Sequence, residues 1–356
     1  MTDFPADYPR FAAQDLNKLC ATVMNQKCSV MDNQQCREGS DPPLRTVIRY
    51  PKGSSADFPG PMFDAGCMLV RHFQEPAILS TRVTSLRTFQ EVWQDDADFR
   101  RELLSLQDPA SAYSKYALRR KYHYGIPASF IPCIARTVYD VLANKLLTKR
   151  GGSPDDLRVR VLDPCAGWGD RLVGAFACPH VKEYVGVDPN PATQRGYAEI
   201  AALFSAYVSS NQCPSRGSVS ARVVAKPFEK SNEEDFPNEY FDIVFTSPPY
   251  LDYEVYSREV PSYTKWDEEF YEPLVERSRR AVTSDGIIAF HIDDTSAGNV
   301  PRSIRDEAVE VLGVDIGFDR RIVKVWILNK EPKVRSSSKI SSRDLQTRKR
   351  ERPPSV

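Results

Sequence analysis

Short apolar runs separated by polar, helix-patterned stretches dominate the middle of the chain. The runs fall at residues 159–162, 184–187, 222–224, 243–245, 287–292 and 322–328, and read as short buried strands. Segments with helical spacing of apolar positions lie between most of them, at 171–177, 193–208 and 268–282, and another precedes them at 129–147. This alternation predicts a mostly parallel sheet with helices on both faces, finished by an antiparallel hairpin of 314–318 with 322–328. Upstream the pattern is less regular. Strand-like pieces at 46–50 and 68–72 and one helical stretch around 86–106 stand among Pro/Gly punctuation. Three regions are therefore expected: an N-terminal accessory region, 1–110, available for target recognition; an α/β domain, 111–330; and a tail, 331–356.

Composition narrows the class. With 41% hydrophobic and 27% charged residues in 356, the chain suits a globular protein with a sizeable core. Lys plus Arg (48) cancels Asp plus Glu (48), so a polyanion site requires local clustering of charge. Two clusters qualify. The tail from Lys330 onward holds nine Lys/Arg against three acids and almost no apolar residues, which reads as a disordered arm, either solvated or polyanion-binding, with a possible nuclear address at Arg348, Lys349 and Arg350. The stretch 113–124 carries Lys115, Arg119, Arg120 and Lys121 among four tyrosines and no acid, a pattern for contacting phosphates and stacking on bases. The same pattern also fits a surface helix with its tyrosines turned inward. The N-terminal residues lack a secretory pattern, and no run approaches the roughly 18 apolar residues of a membrane helix, so an intracellular protein is expected. Eight cysteines occur without a Cys-x-x-Cys pair, and Cys20, Cys28 and Cys36 are spaced too widely for a usual zinc module. Reduced thiols and no metal are expected.

A cofactor turn follows the strand at 159–162. Asp163-Pro164-Cys165-Ala166-Gly167-Trp168-Gly169 leads into a helix, and glycines there let backbone approach a ligand with no Cβ in the way. The next strand ends in Asp188, placed to take both hydroxyls of a ribose. The third glycine of the dinucleotide fingerprint is missing, and Asp163 would stand close to a pyrophosphate. The acid disfavours a phosphate and favours a cationic sulfonium with its ammonium. Asp163, Cys165, Gly167, Gly169 and Asp188 thus point to S-adenosyl-L-methionine and away from NAD.

The strand at 243–245 ends in Ser247-Pro248-Pro249-Tyr250. Over about 160–330, this tetrapeptide behind the Asp-Pro-x-x-Gly-x-Gly turn resembles the amino-methyltransferases, Rossmann-like enzymes that methylate adenine N6 or cytosine N4. The resemblance implies a seven-stranded Rossmann-like S-adenosylmethionine-dependent fold, with Ser247, Pro248, Pro249 and Tyr250 as catalytic residues and Phe228 and Glu229 near the cofactor adenine. An exocyclic amine is a poor nucleophile because its lone pair is delocalised into the ring. Two acceptors on its hydrogens, Ser247 Oγ and the Pro248 carbonyl, would free that lone pair. The prolines stiffen the segment, and Tyr250 would stack on a base flipped from its duplex. Serine in the first position leans toward cytosine N4 over adenine N6, in DNA. An RNA enzyme of the same chemistry and a non-catalytic nucleic-acid-binding subunit are the alternatives. Tyr253 and the aromatic residues after it suit a base-contacting flap or the packing of the next helix. His291 reads as a structural histidine, since the chemistry does not demand it.

Overall fold

The computed structural model describes residues 13–32, 44–51, 64–106, 112–153, 157–212, 218–249, 254–255, 265–292, 300–316 and 322–332. Tyr250, Tyr253 and the basic tail beyond residue 332 lie outside these residues.

The chain begins with α1 (Ala13–Asn25), β1 (Ser29–Asp32), β2 (Leu44–Arg49) and α2 (Ala65–Ser80), followed by α3 (Phe89–Asp95), α4 (Ala97–Ser105) and α5 (Ala112–Leu118). Then come α6 (Pro132–Arg150), β3 (Val159–Asp163), α7 (Asp170–Ala177), β4 (Val181–Val187), α8 (Gln194–Tyr207), β5 (Ser220–Val224) and β6 (Phe241–Thr246). The described chain finishes with α9 (Glu272–Ala281), β7 (Val282–Ile292), β8 (Ala308–Asp315) and β9 (Ile322–Leu328).

Among the described residues, nine strands form the main sheet, in the order β1-β2-β8-β9-β7-β6-β3-β4-β5. The run β7-β6-β3-β4-β5 is parallel, and β9 lies antiparallel between β7 and β8. Seven of these strands, β3 to β9, make the expected Rossmann-like α/β sheet. The other two come from the N-terminal region: β2 adds parallel to β8, and β1 adds antiparallel to β2.

Both faces of the sheet are covered, which explains why the central strands read as continuous apolar runs. Every residue of β6 is buried. Ile243 and Phe245 enter a core shared with α1, α2, α6 and α7, while Phe241 and Val244 enter one shared with α9. Helix α7 lies so close to α6 that a Cβ on Gly174 would stand 2.8 Å from the Pro132 carbonyl.

Two expectations change. Residues 68–72 are not a strand. Asp64 caps α2 by accepting the Cys67 N–H at 2.8 Å, and apolar positions spaced three and four apart (Leu69, Val70, Phe73, Ala77) face the core. The helix expected at 86–106 is two: Thr88 and Glu91 form a capping box for α3, and extended Asp96 ends it and caps α4. Across residue 110, Cys20, Val23, Ile48 and Val70 pack with Ile134 and Val173 in one core. A smaller satellite also spans it, built by Phe89, Trp93, Phe99, Leu103, Leu118 and Tyr124.

Candidate active site

The carboxyl ends of β3, β4 and β6 meet at one edge of the sheet, where ligands of open α/β sheets lie. The β3 turn is held from three sides. The Ala166 N–H donates to the Val187 carbonyl at 2.9 Å, the Gly167 N–H to Asp188 Oδ2 at 2.8 Å, and the Cys165 N–H to Thr246 Oγ1 at 3.0 Å. Tyr197 donates its hydroxyl to the Gly167 carbonyl, and Trp168 Nε1 reaches the Ala128 carbonyl at 3.1 Å. Gly167 (φ +63°) and Gly169 (φ +94°) occupy the left-handed region that favours glycine.

Asp188 sits half-buried at the end of β4. Its oxygens accept the Asn190 N–H at 2.9 Å and the Gly167 N–H. Burial pushes its carboxyl up to about 6, against the pull of these two backbone donors.

Asp163 lies beneath the turn, at the end of β3. It is fully buried, takes Arg171 Nε at 2.9 Å and Nη2 at 3.3 Å, and receives the Tyr184 hydroxyl at 2.6 Å. Burial opposes the Arg171 charge, and Asp163, together with the Tyr184 and Tyr139 side chains, outweighs it, so the guanidinium is held above its ordinary range. Asp163 therefore fastens β3 to α7 and β4, while its neighbours Cys165, Gly167 and Gly169 form the turn. Cys165 is half-buried, and burial raises its thiol well above the ordinary range. Phe228 is buried with its ring 5.6 Å from Phe236, and the Glu229 carbonyl accepts Arg277 Nε at 3.0 Å.

At the end of β6, Ser247 Oγ lies 3.3 Å from His291 Nδ1 and 3.2 Å from the His291 carbonyl. Tyr271 donates its hydroxyl to the Pro249 carbonyl at 2.8 Å, pinning the Pro-Pro step, and Pro248 is buried. Glu254 and Val255, beyond the undescribed Tyr250, pair antiparallel with Val83 and Arg82. Residues just beyond the end of β6 therefore pair with the segment between α2 and α3.

The basic segment is only partly presented. Lys115 is buried against Glu75, Lys121 pairs with Glu102, and Tyr124 points inward to donate to the Lys115 carbonyl. The apolar faces of Tyr122 and Tyr124 complete the satellite around Phe99, which is why they turn in. Arg119 stacks on Tyr116 at 4.9 Å, and Arg120 is exposed.

Asp170, the first residue of α7, escaped the sequence reading. It is 3% exposed, and its Oδ1 has no hydrogen-bond partner among the described residues. Burial pushes its carboxyl up to about 7, against the opposite charges of Arg171 and Arg71. The folded protein thus holds this proton more tightly than the unfolded chain does. Between about pH 4 and pH 7 the unfolded state is the more ionised, so this group lowers stability as pH rises through that window. Asp170→Asn is expected to remove about 2 to 3 kcal/mol of the stability lost between pH 5 and pH 8, read from urea unfolding at both. An unchanged difference contradicts the assignment.

No family model matches the chain, and no curated protein matches its sequence. Solved structures resemble it in fold. An rRNA methyltransferase, aviRa, from Streptomyces viridochromogenes is 14% identical, with 58% of this chain and 88% of that one covered and a TM-score of 0.39. A tRNA methyltransferase from Aquifex aeolicus is 12% identical, with 56% and 69% covered and a TM-score of 0.34. Strand order and glycine turn together define a Rossmann-like α/β protein. No helix among the described residues is long and apolar enough to cross a membrane.

Proposed function

We propose that this protein is an S-adenosylmethionine-dependent methyltransferase acting on the exocyclic amino group of a base in DNA, with cytosine N4 favoured over adenine N6. One observation carries the reading. The Cys165 N–H bonded to Thr246 Oγ1 joins the glycine turn to the residue before Ser247, which brings the two motifs side by side. A cofactor on the turn and an amine at the serine are then close neighbours, and group transfer between them needs chiefly orientation.

The residues present fit this cofactor. Asp188 keeps lone pairs beyond its two backbone bonds for ribose hydroxyls. At Gly167 an added Cβ would meet nothing nearer than 4.0 Å, so that side of the turn stays open to a ligand. When bound, S-adenosylmethionine supplies an electrophilic methyl on a sulfonium. Ser247 and the Pro248 carbonyl hold the amine hydrogens, and Arg119 and Arg120 on the neighbouring satellite attract phosphate.

The direct test is binding of S-adenosylhomocysteine by calorimetry. Asp188→Asn is expected to weaken it about 10- to 100-fold, the scale of hydrogen bonds to a charged group, with unfolding measured alongside. Equal affinity in a folded variant removes Asp188 from the site, and no binding by the wild type removes the cofactor.

A further inference from the structure

We propose that His291 positions Ser247 and accepts, through it, the proton that amine methylation releases; the proposal rests on the methyltransferase reading above. His291 is the penultimate residue of β7, the parallel neighbour of β6. Phe290 stands opposite Thr246 in the ladder, which brings the following residues, His291 and Ser247, level at the strand ends. The imidazole is fixed by the Phe130 ring, edge-on at 4.8 Å and 74°. Phe130 is in turn held against Phe245 at 6.0 Å and beneath the Arg171 guanidinium at 5.4 Å.

A hydroxyl has one hydrogen and two acceptor positions. Among the described residues, both acceptors within reach of Ser247 Oγ, the Nδ1 at 3.3 Å and the carbonyl at 3.2 Å, belong to His291. The hydrogen is therefore kept on the β7 side, and the lone pairs face away from it, as an acceptor for an amine hydrogen requires. The hydrogen shifts from carbonyl to Nδ1 by a small rotation about the Cβ–Oγ bond.

The proton path follows. The amine lone pair forms the new N–C bond while the C–S bond breaks with its electron pair going to sulfur. The nitrogen then carries a positive charge and one hydrogen too many. That proton passes to Ser247 Oγ as the hydroxyl hydrogen moves to His291 Nδ1. The imidazolium returns it to solvent, which reaches the half-buried ring. Imidazole is the side chain whose charge ordinarily changes between about pH 5 and pH 8, so it suits this turnover.

Among the described residues, Arg171 and Lys324 are charged groups on the elements around the ring. Arg171 lies behind Phe130 and is neutralised by Asp163. On β9 the partner of His291 is Val325, and the adjacent Lys324 lies over Trp326 at 5.5 Å. On β6, Phe245 and Thr246 are uncharged.

The test reads the tautomer and the turnover together. With four histidines in the chain, long-range proton–nitrogen spectra of the full-length labelled protein resolve each imidazole, and His291→Asn assigns the signal. At pH 8, His291 is expected with hydrogen on Nε2 and a bare Nδ1 whose shift moves in Ser247→Ala. Hydrogen on Nδ1 overturns the proposal. Asn in place of His291 keeps an acceptor near the Nδ1 position but takes no proton. In methyl transfer to DNA it is expected to lower kcat about 100-fold and flatten the acid limb of the kcat profile, with S-adenosylhomocysteine binding unchanged. A wild-type kcat with an intact acid limb overturns the relay alone. No methyl transfer by the wild type overturns the enzyme reading and the relay together.

Discussion

Arg171→Met is expected to cost about 3 to 5 kcal/mol of unfolding free energy, a large part of the stability of an ordinary domain. Arg171 and Asp163 are both buried beneath the glycine turn, with Arg171 also donating to the Cys165 carbonyl. Methionine fills much of the volume but leaves a carboxylate with the Tyr184 hydroxyl as its remaining strong side-chain partner. A buried charge without its counter-ion is far costlier than the pair is favourable. The double variant Asp163→Asn with Arg171→Met is therefore expected to recover most of the loss. Urea unfolding of the single and double variants measures this coupling. A single-variant loss below about 1 kcal/mol, the range of exposed pairs, would mean that the pair does not hold the turn.

Ser247→Ala is expected to reduce kcat about 100- to 1000-fold while leaving cofactor affinity unchanged, the scale of one preorganised hydrogen bond that strengthens in the transition state. The hydroxyl is held from one side by His291, and the carbonyls beside it are stiffened by the Tyr271 bond to Pro249. Alanine keeps that backbone and removes only the acceptor. The loss should fall on kcat, because the amine gains its hydrogen-bonding demand as its lone pair moves toward the methyl. A raised KM with unchanged kcat would show instead that Ser247 only binds the base.

The parallel sheet was legible because its strands are buried on both faces. Val159–Asp163 and Phe241–Thr246 read as apolar runs whichever face is considered. Less visible was the helix Ala65–Ser80, whose Met68 to His72 stretch passes for a strand until the Asp64 cap is considered. The edge strand Ser29–Asp32 is short and exposed, so it carries little periodic signal. The strand ends that carry Asp188 and the two glycines were legible from the apolar runs before them, and the turn's bond from Gly167 to Asp188 joins residues 21 positions apart. The contacts of Asp163 were not legible: its partner, Arg171, stands eight residues on in a mostly apolar helix, and a basic side chain in that helix was the available signal. The meeting of His291 with Ser247 joins residues 44 positions apart, and no local pattern announces it.

The most direct measurement is methyl transfer from labelled S-adenosylmethionine to DNA and RNA pools, followed by nucleoside mass spectrometry, with Ser247→Ala alongside. The account predicts an N-methylated cytosine or adenine in DNA that falls sharply in the variant. A product in RNA alone would keep the chemistry and contradict the proposed polymer. No methylated nucleoside in either pool would contradict the account at its centre.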